Sequence, residues 1–323
     1  MDMRQFYPGP HSGAKWMPGD LMVGPPSNGE YFFVDGSKST GGAGKTWADA
    51  FADPRAAINA CTSRNNDVIF VAPRNDSTNS NRYDGNIKVD KRGIQIIGVG
   101  GFKQTVLRAS AGTLVPFGGL DGVTYLGIGM YVVSTSTDVE ISGFQFDASG
   151  TYCGLYWGDG YRIDSAVYSG GADTENGSVH HCTFKYGTTG LYYDGASNDH
   201  FLSNNYFYQQ SDNGVYMGPG GTQSQSRIHV MDNMFKGCED YGVFIYSASG
   251  TNHSHVIGRN VFVSKVPSTT EMTPVKSDGA TSYIAVTGNW MATKTDHDLA
   301  ARDMGSGNFV GTEGASTDHV AIA

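Results

Sequence analysis

Two acids carry the chemistry that can be read first. Asp212 stands three residues before Val215 in Gly214-Val215-Tyr216, and Asp240 stands three before Val243 in Gly242-Val243-Phe244. If the two segments are equivalent pieces of a repeat, the carboxylates occupy one slot on successive rungs, about 4.8 Å apart. That spacing is near the roughly 5 Å of a retaining glycosidase pair, and it also suits two carboxyls that share a proton. Glu239 adds a third acid to the same turn. The other reading of all three is structural: turn acids accepting from backbone N–H groups.

A second set of residues suits sugar recognition. In Gly154-Leu155-Tyr156, Gly190-Leu191-Tyr192, Gly214-Val215-Tyr216 and Gly242-Val243-Phe244, strand alternation sends the aliphatic residue inward and Tyr156, Tyr192, Tyr216 and Phe244 outward. Such a stripe presents ring faces to the C–H faces of a glycan, or it is covered by a loop or a neighbouring subunit. Lys185 and Lys236 each follow a repeated Phe, with Tyr208 between them, but no arginine joins them to complete the base and cations that a polyuronate lyase needs. His180-His181 and His253-x-His255 lack a Cys or carboxylate partner at ligand spacing, so neither a metal nor any other cofactor is expected. Gly42-Ala43-Gly44-Lys45-Thr46 lacks the first glycine of a phosphate loop, Ser39 standing there, and reads as a turn before a helix. The four cysteines lie far apart with no CxxC and are expected to be reduced, buried thiols.

The elements that hold these residues follow from internal repetition. The pattern apolar-x-x-small/Asn-x-Phe recurs at Ile141–Phe146, Val179–Phe184, Leu202–Phe207, Val230–Phe235 and Ile257–Phe262, and ends at Val286–Met291. Each repeat is too short for a strand-helix-strand crossover, and its apolar pieces are strand-length. The fold class is therefore all-β, a single parallel β-solenoid. Asn205, Asn233, Asn260 and Asn289 should form one ladder, with Cys182 in the earlier coil, and Phe184, Phe207, Phe235 and Phe262 should stack in the core. One short helix is expected between residues 46 and 62, where Asp53-Pro54 offers an N-cap followed by proline at the first helical position. Residues 1–29 hold five of the eleven prolines and read as an extended arm. Residues 30–293 form the solenoid, and 294–323 a polar tail or a last irregular coil.

These columns, the helix before the first coils, Phe33-Val34-Asp35-Gly36-Ser37 and Val68-Ile69-Phe70-Val71-Ala72-Pro73 resemble the right-handed parallel β-helix proteins of the pectate-lyase-like superfamily, most closely phage tailspike and virion proteins. The resemblance implies a β-helix that contacts surface glycans. By analogy it implies a homo-oligomer, a trimer.

Composition narrows the function further. A net charge of −9 without a Lys/Arg cluster argues against nucleic acid and anionic membranes, and no apolar run reaches the roughly 18 residues of a membrane span. No secretory leader is recognisable at Met1-Asp2-Met3-Arg4, whereas the fold resembled is an extracellular type. With the Gly/Pro arm, this favours a phage virion structural protein (spike, fibre or decoration subunit) at the virion surface. In that reading Phe6, Tyr7, Trp16, Met17, Leu21 and Met22 dock on other virion proteins. The alternative is a tailspike-like polysaccharide depolymerase, hydrolase or lyase, working through Asp212, Asp240 and Glu239 on host polysaccharide.

Overall fold

A computed structural model describes residues 29–75, 81–85, 87–100, 105–109, 127–133, 135–150, 153–158, 174–218, 224–264, 272–292, 304–310 and 320–322. The arm residues Phe6, Tyr7, Trp16, Met17, Leu21 and Met22 lie outside this set. Among the described residues, strands gather into three sheets of ten strands each. Among the described residues every pairing but the last, of Asn308–Val310 with Val320–Ile322, is parallel, as a solenoid requires.

The core is three columns of side chains, one per sheet. Ile141, Val179, Leu202, Val230, Ile257 and Val286 line the first sheet; Phe146, Phe184, Phe207, Phe235, Phe262 and Met291 the second; Leu155, Leu191, Val215, Val243 and Val275 the third. All are fully buried. The phenylalanines stack with centroids 4.7 to 4.9 Å apart and nearly parallel planes, so the ring spacing matches the rung spacing.

That stack explains the glycine that opens each third-sheet segment. A Cβ on Gly214 would lie 2.5 Å from Phe235 Cδ1, and one on Gly242 2.5 Å from Phe262 Cδ1. The backbone of the third sheet rests directly on the edges of the rings, leaving no room for a methyl group.

The corner between the first and second sheets is turned by a residue in the left-handed region: His181, Asn204, Asp232, Arg259, Gly288 and Gly307. The next residue is the ladder asparagine. Asn233 Oδ1 accepts from Asn205 N (2.9 Å) and Asn205 Nδ2 (3.0 Å), while Asn233 Nδ2 donates to Leu202 O (2.8 Å). The same bonds run from Cys182 through Asn205, Asn233, Asn260 and Asn289 to Asn308, one rung further than the repeat predicted. Each amide satisfies backbone groups that the sharp corner removes from the sheets. Met304–Ser306 and Asn308–Val310 continue the first two sheets, and Val320–Ile322 pairs antiparallel with Asn308–Val310.

The helix is Pro54–Ala60, shorter than the expected span. Asp53 caps it, its Oδ1 accepting from Arg55 N at 2.7 Å, and Ala57 and Ile58 pack into the core. Thr46 to Asp49, within the expected helical span, make a turn instead, with Asp49 N donating to Thr46 Oγ1. Asp49 also accepts from Ala43 N and Gly44 N, so the glycine-rich loop spends its N–H groups on its own aspartate.

Candidate active site

Asp212 and Asp240 sit where the second sheet turns into the third, just before the strands Asn213–Gly218 and Tyr241–His253. Asp240 N and Tyr241 N both donate to Asp212 O, at 3.1 and 3.3 Å, which holds the two turns one rung apart. Burial, then the hydrogen bond and charge of Asp240, push the Asp212 carboxyl up to about 6, against a smaller lowering by Asn213. A raised carboxyl beside a second acid is what two carboxyls that share a proton show. Of the two arrangements the sequence allowed, this is the proton-sharing one. It gives Asp212 a proton that it can release near neutral pH. Glu239 is exposed on the same turn, its backbone N–H donating to Gln210 O at 3.0 Å.

The aromatic stripe forms but is not open. Tyr156, Tyr192 and Tyr216 stack in order, with centroids 5.3 and 4.6 Å apart, and are only 5%, 2% and 8% exposed. With Ile128, Tyr131 and Cys153 they make a second apolar cluster outside the solenoid core. The Tyr156 hydroxyl donates to the carboxylate of Asp194, itself fully buried. Rings so covered offer a sugar almost no face, which corrects the expected glycan stripe at these three positions. Phe244, half-buried, stays partly accessible and contacts Tyr241, the residue after Asp240, at 4.7 Å.

The open aromatic surface is on the second sheet. Outside the phenylalanine stack run Tyr206, Met234, Val261 and Trp290 in one column and Lys185, Tyr208 and Lys236 in the next. Met234 and Trp290 are 38% and 40% exposed, and Tyr186 at the sheet's end is 40%. Tyr208 contacts both Tyr206 (5.8 Å) and Tyr186 (6.0 Å). The signal was in Tyr206-Phe207-Tyr208: with Phe207 inward, both tyrosines must point out. This surface is bounded by the carboxyl pair at one corner. At the other corner lies a shallow groove of about 640 Å³ lined by His181, Asn204, Tyr206, Asp232, Met234 and Arg259.

Other candidate groups are structural. The four cysteines are free and buried, and burial pushes the thiols of Cys61, Cys182 and Cys238 up to about 12, far from a reactive thiolate. His200 and His255 are fully buried, and burial pulls them down to about 4 and about 3, so both are neutral core residues. Among the described residues, no three His, Cys, Asp or Glu side chains are grouped to hold a metal ion, and no helix is long and apolar enough to cross a membrane.

The sequence profile described as "right handed beta helix region" matches residues 126–274. The fold is a right-handed parallel β-helix. Solved structures extend the likeness over most of the chain. Pectate lyase Pel9A superposes with a TM-score of 0.54 at 12% identity, covering 88% of this chain and 79% of the other. Pectin methylesterase PemA from Erwinia chrysanthemi gives 0.53 at 12% identity, over 89% and 90%. XylC in complex with xylose gives 0.50 at 10% identity, over 87% and 68%. At such identities the likeness is one of fold. No characterised protein matches the chain by sequence.

Proposed function

We propose that this β-helix cleaves a polysaccharide lying across the outer face of its second sheet, with Asp212 as the acid and Asp240 as its partner. One observation carries the reading: two acids are held one rung apart by the backbone bonds of Asp240 N and Tyr241 N to Asp212 O, with Asp212 shifted to about 6, at the edge of an open Tyr/Met/Trp/Lys surface. A carboxylic acid that keeps its proton close to neutral pH beside an ionised partner divides the roles of acid and base. Asp212 gives its proton to the glycosidic oxygen as the bond to the anomeric carbon breaks. A water attacks that carbon and loses its proton to the Asp240 carboxylate. Tyr206, Tyr208 and Tyr186 supply ring faces for the sugar units, and Lys185 and Lys236 favour an acidic polymer. A pectate lyase, a pectin methylesterase and XylC in complex with xylose share the fold, which supports this reading over a purely structural one.

The test is a screen of neutral and acidic polysaccharides for new reducing ends, with ultraviolet absorbance read in parallel for unsaturated lyase products. Asp212→Asn and Asp240→Asn should each lower the rate by about 10² to 10⁴, the usual worth of a general acid or base. Cleavage that persists in the double variant would rule out the carboxyl pair. Unsaturated products would replace hydrolysis with elimination.

A further inference from the structure

One outer column of the second sheet carries its cations at a regular interval. Across Thr105–Arg108, Phe144–Asp147, Thr183–Lys185, Tyr206–Tyr208 and Met234–Lys236, the register stacks Arg108, Asp147, Lys185, Tyr208 and Lys236 one above another. Each follows a fully buried residue of the core, so all five side chains stand on the outer face. Arg108, Lys185 and Lys236 therefore occupy alternate rungs, about 9.6 Å apart and about 19 Å from first to last. The repeat pattern begins after Arg108, at Ile141, so only the sheet register adds an arginine to the two lysines.

The three cations are unengaged. Among the described residues, none of their side chains makes a hydrogen bond or an ion pair; Arg108 and Lys236 are exposed and Lys185 partly so. The acid between them is occupied elsewhere: Arg82 lies 3.5 Å from Asp147 Oδ2, and Ser149 N and Oγ donate to Asp147 Oδ1 at 3.1 and 2.5 Å. Tyr208, between the lysines, offers a ring. The neighbouring outer column of Gln145, Thr183, Tyr206 and Met234 carries no charge. Asp84 closes the charged column beyond Arg108, and past Lys236 it continues in the uncharged Val263 and Ala292. On a chain of net charge −9, this line of three unpaired cations sets both the sign and the spacing of what it attracts.

We propose that this column binds an acidic polysaccharide running parallel to the solenoid axis, with one uronic acid carboxylate per disaccharide turned toward the sheet. An extended disaccharide is about two rungs long. Successive carboxylates along one edge of the polymer then meet Arg108, Lys185 and Lys236 in turn, and the sugar between the lysines lies on Tyr208. The planar fork of Arg108 matches a carboxylate in two parallel bonds, while the lysines meet it as point charges. A polymer with a carboxylate at every sugar of this edge would set one against Asp147, so the column selects spacing as well as sign. The inference rests on the reading that a polysaccharide lies on this face, and it holds whether or not Asp212 and Asp240 cleave that polymer.

The probe is a series of hyaluronan oligosaccharides, which carry one carboxylate per disaccharide, titrated calorimetrically at low salt into the full-length Asp212→Asn protein. Affinity should rise with each disaccharide up to the hexasaccharide, where three carboxylates meet three cations, and then level off. In that background Arg108→Gln, Lys185→Gln and Lys236→Gln should each weaken the hexasaccharide by about two- to fivefold, as for an exposed ion pair, with unfolding midpoints unmoved. Lys185→Arg and Lys236→Arg should retain binding. Lys88→Gln, a cation on the third sheet paired with Asp90, should change nothing. Equal binding of the carboxyl-reduced hexasaccharide, or an equal loss in Lys88→Gln, would overturn the column. A carrageenan hexasaccharide with one sulfate per disaccharide that bound while hyaluronan did not would overturn the uronate assignment. Hyaluronan that binds in this stepwise way yet is left intact by the parent protein supports the column and counts against the hydrolysis reading alone. Cleavage of a neutral polysaccharide that none of the three replacements alters does the reverse.

Discussion

Replacing Asp212 by Asn should make the protein more stable at neutral pH while lowering the proposed cleavage. In the folded state the Asp212 carboxyl is raised from 3.8 to about 6 by burial and by Asp240. The folded chain therefore holds this proton more tightly than the unfolded chain does. Between about pH 4 and pH 6 the native state binds more protons, so stability falls as pH rises through that window and stays reduced above it. Two units correspond to about 3 kcal/mol at 1.36 kcal/mol each. Asp212 is only half-buried, and solvent screening reduces this to about 1 to 2 kcal/mol. Asn is nearly isosteric, never ionises, and donates its amide to Asp240. The assay is urea unfolding of parent and variant side by side, read as the difference in midpoints from about pH 4 to pH 8. The variant should gain nothing at the acid end and about 1 to 2 kcal/mol at the alkaline end. A gap that is constant with pH, or of opposite sign, would refute the assignment of the shift to this pair. Stability gained as the proposed cleavage is lost is the signature expected of an acid pair kept for function.

Phe235→Ala, which removes a fully buried ring stacked between Phe207 and Phe262, should cost about 3 to 5 kcal/mol by denaturant unfolding; an unmoved midpoint would discard the stacked column. Gly214→Ala should cost about 1 to 3 kcal/mol because its methyl meets Phe235 at 2.5 Å, and a smaller side chain at 235 should recover part of that loss in a double-mutant cycle. Asn233→Ala deprives Asn205 N and Leu202 O of their buried partner and should cost at least about 2 kcal/mol, with faster hydrogen exchange at Asn205. Deleting residues 1–29, which we propose as an anchor for a partner protein, should leave the unfolding midpoint of the β-helix unchanged and abolish capture of that partner; retained capture would remove the anchoring role.

Sequence alone determined what repeats. The Phe and Asn columns could be read because equivalent residues of successive coils stack at one rung spacing, so a linear pattern maps directly onto contacts. The Asp212–Asp240 pair was legible for the same reason: both acids keep the same offset from the third-sheet segment, and a shared offset becomes a shared position. The helix start at Asp53-Pro54 depended only on local capping chemistry. Exposure was another matter. Alternation sends Tyr156, Tyr192 and Tyr216 outward, but parity states which side of a sheet a ring occupies and nothing about what packs over it. Their burial, with Asp194 under the Tyr156 hydroxyl, was decided by tertiary packing, as was the openness of Tyr186, Met234 and Trp290. The contact between Glu140 and His180 was hidden for a related reason. Glu140 and His180 lie 40 residues apart, and their contact is diagonal between neighbouring rungs, so no common repeat offset marks it. Stacking along the helix axis is periodic and is written in the sequence, whereas diagonal contacts and the covering of outer faces depend on how the irregular connections between rungs return the chain.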